Sequence, residues 1–258
     1  MFPQNRLLIQ IPFLYLATTR MNTIKGLVSN AATAWLPGIF IVMAWGDHSL
    51  PFSVIYYLAA YLVFVSIYEV GYLVNDTLGT RYDETPRHRL AFRPSAAEIA
   101  FFIVVRIVTA SAIAWYLSLY ESVASQVAIL ALIIIICIHN TISSSALKAA
   151  SFIQMSTLRF VIPVLPLIRS DLTPYLLLIG IFHFVYPRFI TYLDSKGRLS
   201  IPERKTATYG LQYQLILMPV FILLSAMSSS YLPGLIWLYF LLFQAFRFLI
   251  EKNRGKLS

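Results

Sequence analysis

Apolar residues run along this chain in long stretches, separated by short polar segments. Eight stretches stand out, at 27–45, 51–74, 97–117, 122–142, 149–168, 173–193, 208–228 and 231–250. Each holds roughly 20 mostly apolar residues, the length needed to cross a bilayer as a helix. Strict polar–apolar alternation, the sign of a transmembrane barrel, is absent. Ser228 to Tyr231 separate the last two stretches, and Pro233 opens the second of them, so the pair reads as a tight hairpin. Residues 1–25 (MFPQNRLLIQIPFLYLATTRMNTIK) lack a small-residue cleavage site and a long apolar core. They read as an amphipathic lead-in on or in the membrane. The expected fold is all-α, a polytopic bundle of about eight to nine transmembrane helices in one integral membrane domain, 1–258.

Composition strengthens this reading. Of 258 residues, 59% are hydrophobic and only 12% charged. That is about half the charge of a soluble domain, too little to cover a water-facing surface. A soluble enzyme, a disordered chain and a secreted disulfide scaffold are all excluded. The single cysteine, Cys137, reads as a buried, inert thiol. His139 and His183 are isolated and read as packing residues.

Net charge is +9. In this setting the excess points to loop orientation, with no nucleic-acid partner. Seventeen of the twenty basic residues fall on one side of an eight-span topology, and Arg169 alone falls on the other. The positive-inside rule then puts both termini and the loops 75–96 and 194–207 in the cytoplasm. The opposite loops, such as GDHSLP and RSDLTP, are minimal. Chemistry is expected on the cytoplasmic face. The two long loops lie four spans apart, a spacing that hints at a duplicated four-helix unit.

The second stretch ends in YEVGYLVNDTLGTRYDETPRHRLAFRP. On a helix Glu69, Tyr72, Asp76 and Asp83 share one face. Asp76 and Asp83 lie roughly 10 Å apart along such a helix. That suits two ions, or one Mg²⁺ with a polyphosphate between them. Arg87, Arg89 and Arg93 follow and can hold phosphate oxygens. The same pattern also fits a plain interface cap, and spacing alone leaves both readings open.

Tyr72-Leu73-Val74-Asn75-Asp76, then Asp83, Pro86, Arg89 and Arg93-Pro94, resembles the first aspartate-rich motif of the UbiA prenyltransferase superfamily, NDxxDxxxD followed by a basic segment ending in Arg-Pro. Asn75, Asp76 and Asp83 match, and Gly79 replaces the middle aspartate. Arg20 to Lys25 stands where the family carries an Arg-Pro…Lys-Asn segment. Ala146-Leu147-Lys148 with Leu158-Arg159 resembles its Leu-Lys turn and following helix. The likeness runs to about residue 228, and the family commonly has nine spans.

The resemblance implies an intramembrane transferase. Asp76 and Asp83 would hold Mg²⁺ against a diphosphate donor, most simply an isoprenyl diphosphate, for transfer to a lipid or aromatic acceptor. Asn75, Tyr72, Arg87, Arg89, Arg93 and Lys148 would contact substrate. The family's second acidic motif is replaced by YPRFITYLDSKGRLSIPERKT, where Arg188, Asp194, Lys196 and Arg198 are the candidates. A basic second loop resembles the branch that transfers phosphoribose from phosphoribosyl diphosphate to a polyprenyl phosphate.

In either branch a carbon cation develops as diphosphate leaves, and Tyr68, Tyr72, Tyr186 or Tyr192 could face it. Glu69 is a candidate base or salt-bridge partner. Arg106 and Arg159, the other charges within spans, could pair with it, with each other or with substrate. A third reading, a transporter or a non-catalytic relative, draws on mid-span Pro37 and Pro163. No interface signal speaks to oligomeric state.

Overall fold

The computed structural model describes residues 5–77 and 89–253. Asp83, Arg87, Gly79 and Pro86 lie outside the described residues. Those described are helical, with no strand among them. Eight helices are long and apolar enough to cross a membrane. A short helix α1 (Leu14–Thr19) precedes them. The spans are α2 (Ile24–Trp45), α3 (Leu50–Thr77), α4 (Ala96–Tyr116), α5 (Val123–Thr141), α6 (Ala146–Leu167), α7 (Ser170–Ser195), α8 (Ala207–Met227) and α9 (Leu232–Asn253). The eight apolar stretches thus become eight helices, making this an integral multi-pass membrane protein. The chain divides into two compact units, 1–170 with α1–α6 and 171–258 with the body of α7 and all of α8 and α9.

Hydroxyl side chains start many of these helices. Thr23 accepts from the Gly26 N–H, Ser144 from Leu147 and Thr206 from Tyr209. Ser95 and Glu98 form a reciprocal capping box at the head of α4. Such caps satisfy the first N–H groups of a helix.

Of the spans with interior prolines, α2 and α7 accommodate theirs in the same way. Ala31–Trp35 of α2 and Ile181–Val185 of α7 are π-turns, and Pro37 and Pro187 follow two residues later. The wider turn accommodates the missing N–H and the ring clash that proline brings to a regular helix. These π–proline features fall in the first and sixth spans, not at the four-span separation of the two loops. At Pro163 the chain does break: regular helix ends at Val161 and a 3₁₀ turn follows at Leu165–Leu167.

Within unit 1, α6 is central and α4 and α5 are peripheral. The buried share of the apolar window is 56% for α6, against 11% and 17% for α4 and α5. Cys137 therefore lies exposed on the outside of α5. Its apolar surroundings in the sequence led to the expectation of burial, but on a membrane helix such a run faces lipid. Helices α2 and α3 meet closely at Gly38, where an added Cβ would lie 2.3 Å from the Tyr57 ring. Gly38→Val is expected to cost about 1–3 kcal/mol, read as a lower midpoint in mixed-micelle unfolding.

The lead-in does not run as one helix. A 3₁₀ turn at Leu8–Gln10 and α1 are joined through Phe13, whose φ is 76°. Ile9 and Tyr15 pack with Leu73 of α3 and Phe102 of α4 in one buried cluster. The segment is thus folded into unit 1, with Leu16 and Ala17 also buried.

Candidate functional site

The lead-in is fastened by two carboxylates of α3, two helical turns apart. The deeper is Glu69, whose side chain has no exposure. Arg106 of α4 donates to its Oε2 through Nε at 3.1 Å and Nη2 at 2.9 Å. Backbone N–H groups of Phe13 and Leu16 complete the shell, at 3.1 and 2.7 Å. Arg106 also donates to the carbonyls of Ile9, Gln10 and Ile11 and lies over the Phe102 ring. In this arrangement Glu69 serves as a salt-bridge partner, and the charged pair becomes the anchor of an irregular backbone. The Ile11 carbonyl also accepts from the Leu14 N–H, and the guanidinium serves all three at once.

The second carboxylate is Asp76, whose side chain is 1% exposed. The Tyr15 hydroxyl donates to Oδ2 at 2.7 Å. Arg20 Nη2 reaches Oδ1 and Oδ2 at 2.9 and 3.0 Å, and Arg89 Nη1 lies 3.5 Å from Oδ1. Arg20 also stacks over the Tyr72 ring at 4.3 Å. Burial, then the Asp76 charge, raises the Tyr15 phenol far above its ordinary value. It therefore stays protonated and donating.

Below Asp76 one face of α3 carries a column of rings: Tyr57, Tyr61, Phe64, Tyr68 and Tyr72. Successive centroids lie 6.1, 5.9, 4.9 and 4.6 Å apart. The buried Arg159 of α6 stands among Tyr61, Tyr68 and Tyr72 and donates to Asn30 Oδ1 of α2 at 2.8 Å.

The structure thus gathers Glu69, Tyr72, Asp76 and Arg89 of the expected residues in unit 1. Asn75 is half-buried beside Asp76, Lys148 is buried in the first turn of α6, and Arg93 is exposed. In unit 2, Arg188 lies over the Phe184 ring at 4.8 Å and Asp194 pairs with Arg204. Lys196 and Arg198 are exposed past the end of α7, where Gly197 turns the chain with φ 67°. Tyr186 stacks on Tyr213 at 5.3 Å. His139 bonds Ser151, and His183 lies between the rings of Phe221 and Phe240.

Tyr15 and Asn30 are the residues that sequence reasoning missed. Asn30 left a trace, as a polar residue inside an apolar run. Tyr15 left none, because the lead-in has no period to read.

As they stand, the described residues do not form a Mg²⁺ site. Asp76 shares both oxygens with a guanidinium, Glu69 is taken by Arg106, and no group of three His, Cys, Asp or Glu side chains is gathered among the described residues. A divalent cation at Asp76 would meet Arg20 at contact distance.

An apolar groove of about 720 Å³ runs along α3 from Val63 to Val74, between α4 and α5. Ile103, Ile107, Ile133 and Ile136 wall it, with Ser66, Asn140 and Thr141 among the polar residues along it. Asn140 donates to the Gly71 carbonyl at 3.0 Å.

The geometry defines the class as a helical membrane bundle with a buried, cation-rich ion cluster. Comparison of the chain with known protein families, curated proteins and solved structures returns no match.

Proposed function

We propose that the chain is an intramembrane transferase acting on an isoprenoid phosphoester, most simply moving a prenyl group from an isoprenyl diphosphate to a lipid or aromatic acceptor. One observation carries the reading: a cation-rich cluster around buried Asp76 beside an apolar groove that ends at Val74. Arg20 and Arg89 supply positive charge for a leaving diphosphate. The Tyr72 ring, which lies under Arg20, adds an aromatic wall to the cluster. The groove takes the tail. The donor's carbon–oxygen bond breaks with its electron pair on diphosphate. The acceptor bonds the carbon, and its proton passes to the released diphosphate. The distribution of basic residues supports a cytoplasmic setting for this end. Exposed Lys196 and Arg198, in place of a second acidic motif, favour phosphoribosyl transfer to a polyprenyl phosphate as the second reading.

The test is diphosphate release from membranes, with and without Mg²⁺. Isoprenyl diphosphates and phosphoribosyl diphosphate are offered separately with candidate acceptors. Release from the isoprenyl donors is expected, falling by about 100-fold or more in Arg89→Met. Release from the ribosyl donor alone would select the second reading. Release from neither would overturn catalysis and leave transport or a non-catalytic role.

A further inference from the structure

Arg159 is a buried cation in the membrane part of unit 1. It is 5% exposed, and among the described residues it has no carboxylate partner. Its surroundings are the neutral tyrosines 61, 68 and 72, and its hydrogen bond runs to the Asn30 amide oxygen. Its Nε has no acceptor. The amide nitrogen of Asn30 is also buried without an acceptor. So is the indole N–H of Trp35, whose ring meets Tyr61 edge-on at 5.6 Å. The Tyr61 hydroxyl beside them also lacks a partner; it can accept as well as donate, so N–H donors still outnumber acceptors in the cluster. The first and sixth residues of the stretch Asn30–Trp35 supply two of them, and the π-turn Ala31–Trp35 lies within it. π-turns recur at functional sites because they redirect side chains out of helical register.

Uncompensated charge is expensive at this depth. A buried cation is normally paired, and an intramembrane one marks a binding or transport function by default. The other in-span arginine of the same unit, Arg106, shows the ordinary solution, a carboxylate and three carbonyls. Arg159 has an amide instead. That amide presents its oxygen to the guanidinium and leaves its N–H₂ to point elsewhere. A guanidinium edge and an amide N–H₂ side by side suit an oxyanion.

We propose that Arg159 and Asn30 form an anion-binding site inside unit 1, for the phosphate or carboxylate of an amphiphilic ligand. The site lies deeper along α3 than the Asp76 carboxylate. Tyr61, Tyr68 and Tyr72 precede Asp76 by fifteen, eight and four residues, roughly 22, 12 and 6 Å along a helix, so the two clusters share only the Tyr72 ring, which Arg20 also covers. Such a ligand would hold its charge within the bundle, on the guanidinium and amide donors. Anion binding here is independent of the transfer reaction proposed above, and the two are read by different assays.

The experiment is thermal unfolding of the full chain in a neutral detergent, with dodecyl phosphate, dodecanoate, dodecanol or inorganic phosphate added. Dodecyl phosphate or dodecanoate is expected to raise the midpoint of the wild type with a saturable dependence, and dodecanol is not. Arg159→Met should weaken that binding by about 10- to 100-fold, the loss of hydrogen bonds to a charged partner. Arg159→Lys, which keeps the charge, should retain part of it. Asn30→Ala should weaken it by a smaller factor, and it reports on the site even if Arg159→Met does not fold. A shift with inorganic phosphate as well would identify a free anion as a sufficient ligand. A shift confined to the amphiphiles would identify a lipid headgroup. Equal shifts in wild type, Arg159→Met and Asn30→Ala would overturn the proposal, as would a dodecanol shift matching that of the anions.

Discussion

Arg106→Met is expected to release residues 8–20 from the bundle and to lower stability by about 3–5 kcal/mol, the usual consequence of leaving one partner of a buried ion pair alone. Glu69 would remain with no exposure and no cation, held by two backbone N–H groups. The carbonyls of Ile9, Gln10 and Ile11 would lose their shared donor at the same time. The loss is therefore larger than for the pair alone. Unfolding in mixed micelles gives the stability, and limited proteolysis near residues 8–20 gives the release. The double variant Glu69→Gln with Arg106→Met should recover part of the stability, because no bare charge remains. A single variant that unfolds like wild type with the lead-in still protected would show that apolar packing of Ile9 and Tyr15 is sufficient.

Arg20→Met should have the next largest effect, about 2–4 kcal/mol. Asp76 would keep the Tyr15 hydroxyl and Arg89, the latter at 3.5 Å. Neither replaces the contact of Arg20 with both carboxylate oxygens at 2.9 and 3.0 Å. Tyr15→Phe removes one hydrogen bond and keeps the ring, so about 0.5–1.5 kcal/mol is expected. The ranking is the check, by denaturation of the three proteins side by side. Tyr15→Phe costing more than Arg20→Met would mean that the phenol, not the guanidinium, carries the cluster. That would remove the cationic character on which the transferase reading leans.

The spans were legible because each is a run of roughly 20 apolar residues, a signal that needs no tertiary knowledge. Their ends moved by a few residues, as where α3 continues to Thr77 and α9 to Asn253. The shared face of Glu69, Tyr72 and Asp76 was legible from helical period alone. Their partners were not. Arg106 and Arg159 look alike in sequence, as single cations in apolar runs. One meets a carboxylate 37 residues away and the other an amide 129 residues away. Nothing local distinguishes these outcomes, because both are decided by helix packing. The lead-in was read as amphipathic from its composition. Its broken course follows from anchors that lie far along the chain. Asp83 and Arg87, which complete the first motif in the sequence, lie outside the described residues.

The fastening of the lead-in also bears on how the protein is made. The carbonyls of Ile9, Gln10 and Ile11 are served by a side chain 95 to 97 residues downstream. During synthesis, residues 8–20 emerge long before Arg106 does. They have no docking place until three spans have been threaded into the bilayer. Residues 8–20 thus settle only once α4 is in place. Added bulk just ahead of residue 8 would act at that docking step, slowing maturation while leaving insertion of the spans intact.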